Sequence, residues 1–150
     1  MLREQFTSEM KIAMKAGEKR RVETIRMIIA ALKEKDIEAR TSSKDVTEDD
    51  ILSLLQKLVK SRQESMEIYD KNGRPELAAQ EREEIAIITT FLPQPMSEAE
   101  VTAAIQAAIA ETGAASVKDM GKVIALLKAQ HSGKMDFGKA SGLVKAALAG

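Results

Sequence analysis

The chain carries the stretch VKDMGKVIALLKAQHSGKMDFG at residues 117–138. Its apolar spacing predicts a short helix, a glycine-containing turn and the start of a second helix. Two glycine–lysine pairs lie in it, Gly121-Lys122 and Gly133-Lys134. Glycine allows a close backbone approach and the adjacent lysine supplies a flexible cation, which together suit a phosphate-bearing partner. An ordinary helix corner with a solvated lysine has the same pattern, so both interpretations stay open.

The composition narrows the class of protein. The 150 residues hold 23 Lys plus Arg and 23 Asp plus Glu, so the formal net charge is zero and a wholly basic nucleic-acid binder is excluded. There is no cysteine, which excludes disulfides, thiol nucleophiles and thiolate metal sites. Neither a secretory signal nor an apolar run of ~18 residues is present, so we expect a soluble cytoplasmic protein with no membrane partner. Abundant helix formers predict an all-α fold.

The predicted N-terminal domain covers residues 1–95 and contains two helical hairpins. Apolar residues recur at helical spacing in four segments of it. Thr47 and Asp50 form a capping box for the third helix, and Gly73 separates the third helix from the fourth. Prolines 93 and 95 end the fourth helix and set the domain boundary, because proline cannot continue a helix.

The predicted C-terminal domain covers residues 96–150 and contains three shorter helices. Ser97, Ser116 and Asp136 each stand at the start of a helical pattern, where their side-chain oxygens can accept from free backbone N–H groups. The sequence therefore predicts a four-helix N-terminal domain followed by a three-helix tail domain.

Charge alternates in blocks along the first 50 residues. Residues 11–35 hold eight basic against three acidic residues, and residues 36–50 hold six acidic against two basic residues. Such blocks are usually solvated helix faces. A cationic ridge that contacts a nucleic-acid backbone is the functional alternative.

Charged residues also interrupt the apolar stripes of the N-terminal helices. An antiparallel hairpin about Gly73 places Arg62 opposite Glu84, and we expect the two to pair because an unpaired charge there is costly. Arg26 interrupts the stripe of the second helix in the same way. The full set of polar candidates is Arg26, Arg62, Tyr69, Arg74, Glu81 and Glu84. It is either a structural network that sets hairpin register or an anion-binding or catalytic cluster.

Groups that could perform catalysis are scarce. No glycine-rich nucleotide loop follows a strand, and the serine–lysine neighbours Ser132/Lys134 and Ser141/Lys145 are common at helix ends. His131 has two interpretations: an acid or base that works near neutral pH, or, as is more common beside a glycine turn, a helix C-terminal residue favoured by the dipole. A carboxylate metal site in a bundle pairs each Glu with a His three residues on, which this chain lacks. We expect no catalytic residue, no metal and no cofactor.

Two sets of sequence blocks resemble the YqeY family. The N-terminal blocks are RQESMEIY at 62–69, GRPELA at 73–78, Glu81, Glu84 and FLP at 91–93. The C-terminal blocks are DMGKV at 119–123 and GKMD at 133–136. The C-terminal half is similar to the tail domain of the B subunit of the glutamine-dependent aminoacyl-tRNA amidotransferase.

The resemblance implies a helical domain followed by a tail that, in the amidotransferase, recognises tRNA. Amide transfer in that enzyme takes place in a catalytic cradle that this chain lacks. A label of carbon–nitrogen ligase with glutamine as amido-N-donor would therefore be inherited from the larger enzyme, and the residues of this chain do not support it.

Three functional hypotheses remain. The first is a non-catalytic accessory module that binds tRNA or another structured RNA, which is read by shape and phosphate contacts and needs few aromatic side chains. Its predicted RNA-binding residues are Lys118, Lys122, Lys134 and Lys139. The second is an adaptor that docks on an aminoacyl-tRNA synthetase or an amidotransferase-type protein. The third is a small enzyme that uses the arginine–glutamate cluster, and carbon–nitrogen ligase activity is the reaction that the family label would suggest.

Overall fold

The computed structural model describes all residues, 1–150, and divides them into two compact units, Met1–Leu92 and Pro93–Gly150. It contains seven α-helices, one short 3₁₀ helix and no strand, so the prediction of an all-α fold is confirmed. None of the helices combines the length and the apolar character that crossing a lipid bilayer demands.

Unit 1 consists of two helical hairpins. Its helices are α1 (Leu2–Ala16), α2 (Lys19–Thr41), α3 (Glu48–Lys71) and α4 (Pro75–Thr89). Helix α1 packs on α2, α3 packs on α4 along most of its length, and α2 packs on α4 to join the hairpins. The predicted capping box opens α3: Asp50 N donates to Thr47 Oγ1 at 3.1 Å, and Thr47 N donates to Asp50 Oδ2 at 2.9 Å.

The core of unit 1 lies where the two hairpins meet. Its fully buried large side chains are Phe6, Ile25, Ile28, Ile51, Leu55 and Ile88. Phe6 contacts Phe91 edge-to-face, with 5.0 Å between ring centroids, a favourable aromatic geometry. Beyond this core the α3–α4 hairpin continues as two helices alone, and Ala78 is the only buried residue between positions 62 and 84.

Unit 2 is a three-helix arrangement. Its helices are α5 (Glu98–Thr112), a 3₁₀ turn (Val117–Asp119), α6 (Met120–His131) and α7 (Phe137–Ala149). Two of the three predicted side-chain caps form: Ser97 makes a capping box with Glu100, and Asp136 accepts from the first turn of α7. At Ser116 the Asp119 carboxylate accepts from Ser116 N at 3.3 Å, but Asp119 N donates to the Ser116 carbonyl at 2.9 Å rather than to its side chain. Its buried core is Ile105, Ala108, Val123, Leu127, Met135, Ala140 and Val144.

Candidate functional site

The predicted pair of Arg62 and Glu84 forms in the α3–α4 hairpin. Arg62 Nε donates to Glu84 Oε2 at 3.1 Å, and the two side chains are only 17% and 18% exposed. The guanidinium also donates to the carbonyl of Leu58 at 3.1 Å and contacts Met27 Sδ at 3.4 Å. Arg62 therefore ties α3 to α4 and to α2, and the predicted register is confirmed.

Glu81 completes a cluster of three charged groups with Arg62 and Glu84. It is half-buried on α4, three residues before Glu84. Burial raises the pKa of the Glu81 carboxyl, the neighbouring Glu84 raises it further, and Arg62 partly opposes both. The single guanidinium is already bonded to Glu84 and to α3, which favours a role in hairpin register over the capture of an external anion.

The other three polar candidates lie apart from this cluster. Arg26 is exposed, so the prediction that it interrupts a buried stripe is wrong: Ile25 and Ile28 take the buried face of α2. Arg74 is exposed at the hairpin turn and pairs with Glu76 at 2.7 Å. The half-buried Tyr69 meets Arg74 through the backbone, where Arg74 N donates to the Tyr69 carbonyl at 2.9 Å.

The four lysines of the RNA-binding prediction are all exposed on unit 2. Lys118 and Lys122 lie at the N-terminal end of α6, while Lys134 and Lys139 lie beyond its C-terminal end. The nine residue steps from Lys122 to His131 correspond to about 14 Å of helix. Two of the four lysines therefore lie at each end of α6.

The carboxylates of unit 2 are largely occupied by helix caps. Ser97 N donates to Glu100 at 3.2 Å, Ala115 N to Asp119 at 2.9 Å, and Gly138 N to Asp136 at 2.8 Å. Every ion pair of the structure, with N···O within 4.0 Å, lies within residues 1–84. The lysines of unit 2 thus keep their charge free of a direct carboxylate partner.

A nearby lysine contributes to lowering the pKa of two of these capping carboxylates. The pKa of Glu100 is lowered by its bonds with Ser97 and more weakly by Lys134. The pKa of Asp119 is lowered by the amides of Ala115 and Ser116 and more weakly by Lys122. Hydrogen bonds at the caps are the larger cause in both cases, and the lysine is the smaller one.

The two glycine–lysine pairs differ in their structural setting. Gly133 is buried in the turn between α6 and α7 with φ +76°, which favours glycine. Gly121 lies in the first turn of α6, and a Cβ placed there would meet nothing within 4 Å. No contact within the chain accounts for the glycine at position 121, and the space beside Lys122 is open to a partner.

Unit 2 also contains a depression that the sequence did not indicate. It has a volume of about 680 Å³ and is lined by Pro93, Gln94, Pro95, Met96, Glu100, His131 and Lys134. Met96 N donates to the carbonyl of Lys134 at 2.9 Å, and Lys134 N donates to the carbonyl of His131 at 3.0 Å. These bonds hold the proline-containing segment against the turn that carries Lys134. No sequence signal links positions 96 and 134.

The family of this chain follows from its similarity to known proteins. The model of the YqeY-like protein family matches residues 3–148, nearly the whole chain. The chain belongs to the YqeY-like family.

Curated relatives are similar to this YqeY-like chain over part of their length. It is 37% identical over 105 residues to "Altered inheritance of mitochondria protein 41, mitochondrial" of Lachancea thermotolerans, covering 69% of the chain and 55% of that relative. It is 33% identical over 84 residues to the protein of the same name in Vanderwaltozyma polyspora, covering 56% and 44%. The chain thus spans about half the length of the curated relatives it matches.

These names correct one prediction about the YqeY-like chain. The relatives are named as mitochondrial proteins, so the expectation of a cytoplasmic protein is wrong. That expectation followed from the absence of a secretory signal, of a long apolar run and of cysteine. A chain without cysteine is compatible with any redox environment, so the composition could not identify the compartment.

Proposed function

We propose that this YqeY-like chain is a non-catalytic accessory module that binds tRNA or another structured RNA through the lysines of unit 2. The observation that carries the proposal is that the lysines of unit 2 are exposed and make no ion pair. Three of the five side-chain carboxylates of unit 2, those of Glu100, Asp119 and Asp136, are bonded to backbone N–H groups at helix starts instead.

The arrangement of the lysines suits recognition by shape. Lys118 and Lys122 are separated from Lys134 and Lys139 by the length of α6, so the two pairs would contact phosphates at separate points of a folded RNA. Gly121 leaves open space at one of these points. Phosphate contacts at a fixed spacing select a three-dimensional shape rather than a sequence.

The alternatives have less support. A carbon–nitrogen ligase needs a nucleophile for the glutamine acyl group, the chain has no cysteine, and the Arg62 guanidinium is already engaged by Glu84. An adaptor for a synthetase or an amidotransferase-type protein remains a distinct outcome of the test. Such an adaptor would retain its partner after RNase treatment of a lysate, whereas an RNA-dependent association would be lost.

The proposal is tested by measuring tRNA affinity as a function of salt. Each lysine that neutralises a phosphate contributes about 0.7–0.9 to the slope of log K against log salt concentration. We expect a slope of about −3 for the wild type and a slope near zero after Lys118, Lys122, Lys134 and Lys139 are changed to alanine. Because the relatives are named as mitochondrial, the RNA panel includes mitochondrial tRNA.

A matched variant of unit 1 provides the control. Four lysines of unit 1 are exposed and make no ion pair: Lys44, Lys57, Lys60 and Lys71. Changing these four to alanine removes the same charge as the variant of unit 2. We expect this control to keep most of the tRNA affinity and slope. Equal losses in both variants, or wild-type affinity that is independent of salt, would contradict the proposal.

A further inference from the structure

The depression of unit 2 combines groups that differ from those of an ordinary phosphate-binding surface. Pro93, Pro95 and Met96 supply apolar walls, His131 supplies a flat imidazole, Lys134 a cation and Glu100 a carboxylate. The volume of about 680 Å³ is within the range of small-molecule sites. A surface that only contacts phosphates has no use for a carboxylate or for apolar walls.

Each of these groups has a counterpart in a nucleotide. Flat and apolar side chains stack on a base, and a lysine contacts the phosphate. A carboxylate accepts a hydrogen bond from an amino group on a base edge, such as N4 of cytosine. Glu100 is held by its capping box with Ser97, and it lies near enough to Lys134 for the lysine to lower its pKa. The acceptor and the cation are therefore positioned on the same side of unit 2.

We propose that this depression receives one unpaired nucleotide of a bound RNA. The base lies against the proline-containing segment and His131, the base edge donates to the Glu100 carboxylate, and Lys134 contacts the adjoining phosphate. This inference rests on the proposed function, and it adds that the RNA must present an unpaired base. A carboxylate acceptor favours cytosine, which offers an amino group, over uracil, which offers a carbonyl at the same position.

The site suits a nucleotide within a folded RNA better than a free mononucleotide. The depression carries one lysine, and the remaining lysines of the proposed surface lie elsewhere on unit 2. A free mononucleotide would gain only the contacts inside the depression. A nucleotide attached to an RNA also gains the phosphate contacts of the other lysines, and the second contact then occurs at a high effective concentration.

The experiment measures the affinity of the full-length chain for four RNA stems. One stem is fully paired, one carries a single bulged cytidine, one carries a single bulged uridine, and one carries an abasic bulge that keeps the bend but lacks the base. We expect the cytidine bulge to bind about tenfold more tightly than the abasic bulge, which is the gain from one stacked base. A uridine bulge is expected to lie between the two, and free cytidine monophosphate is expected not to compete at the same concentrations.

Three variants assign the preference to the depression. His131→Ala is expected to reduce the ratio of cytidine-bulge to abasic affinity to about one. Glu100→Gln keeps the capping box, because glutamine also fits its third position, and is expected to abolish the preference for cytidine over uridine. Glu98→Gln removes the same charge from the first turn of α5 and is expected to leave both ratios unchanged. Thermal unfolding verifies that all three variants fold.

The outcomes separate this inference from the proposed function. Equal affinity for the cytidine bulge and the abasic bulge overturns the inference while the proposed function stands. Competition by cytidine monophosphate at the concentrations of the RNA overturns the assignment of the depression to an RNA-borne nucleotide. The absence of wild-type binding to all four stems and to tRNA overturns the proposed function and this inference with it.

Discussion

At the scale of single residues, the Arg62–Glu84 pair is the clearest test of whether the polar cluster is structural. Each side chain retains under a fifth of its exposure, so removing one partner leaves a mostly desolvated charge. We expect Glu84→Ala to lower the free energy of unfolding by about 2 kcal/mol, less than the cost for a fully buried pair because solvent still reaches both groups. Urea unfolding measures the change, and the double variant Arg62→Met/Glu84→Leu should recover much of the loss.

For Glu81 we expect the opposite effect, a substitution that stabilises the fold by an amount that depends on pH. Its folded-state pKa is raised by burial and by Glu84, so its ionised form destabilises the fold at neutral pH. We expect Glu81→Gln to raise the free energy of unfolding at pH 7 by a few tenths of a kcal/mol, the size of a like-charge pair on one helix. The gain should disappear as the pH falls below the unfolded-state pKa, where wild-type Glu81 is protonated. An equal gain at acidic pH would contradict the assignment.

Ser43 adopts a backbone conformation that favours glycine. Its φ of +56° is the only positive value among the non-glycine residues, and it lies in the loop between α2 and α3. We expect Ser43→Gly to stabilise unit 1 by up to about 1 kcal/mol, because a left-handed conformation strains an L-residue with a Cβ. Ser42→Gly is the control, since Ser42 has φ −102° and gains nothing from glycine. Thermal unfolding in parallel compares the two.

At the scale of helices, the sequence predicts the features that depend on residues close together in the chain. The capping boxes at Thr47 and Ser97 join residues three apart, so their spacing can be recognised directly. The Arg62–Glu84 pair was predictable because the turn at Gly73 sets the register of the hairpin. The position of Arg26 within the buried stripe was predicted wrongly. One residue of a helix corresponds to about 100° of rotation, so apolar spacing alone does not show whether a residue at the edge of the stripe is buried.

A single substitution at Gly121 in helix α6 tests both the stability of unit 2 and its proposed contact with RNA. The position is helical, and a Cβ meets nothing within 4 Å, so alanine fits without strain. We expect Gly121→Ala to stabilise unit 2 by about 0.5–1 kcal/mol through helix propensity. The same change should weaken tRNA binding several-fold if an RNA backbone approaches this turn. Increased stability with unchanged RNA affinity would remove Gly121 from the proposed surface.

At the scale of the whole molecule, contacts between distant residues are what the sequence leaves undetermined. The bond from Met96 N to the Lys134 carbonyl joins residues 38 positions apart, and it places residues 93–96 beside His131. Prolines 93 and 95 were predictable as a helix stop, and their position on the wall of a depression was not. The sequence placed the domain boundary after residue 95, whereas the compact units meet between Leu92 and Pro93.

That difference of three residues supports a prediction about fragments. We propose that each unit folds independently, and we expect residues 93–150 to give a cooperative but low thermal transition, since so short a chain buries a small core. Fragment 96–150 keeps the Ser97 cap and the four lysines of the proposed surface, but it lacks three residues that line the depression.

Both fragments should therefore bind structured RNA with similar salt dependence, because the phosphate contacts are the same in each. Only fragment 93–150 should prefer the cytidine bulge over the abasic bulge. Circular dichroism first establishes that the two fragments have equal helix content, so that a lost preference is not a lost fold. If fragment 96–150 keeps the preference, the proline-containing segment does not contact the base, and the nucleotide binds elsewhere on unit 2.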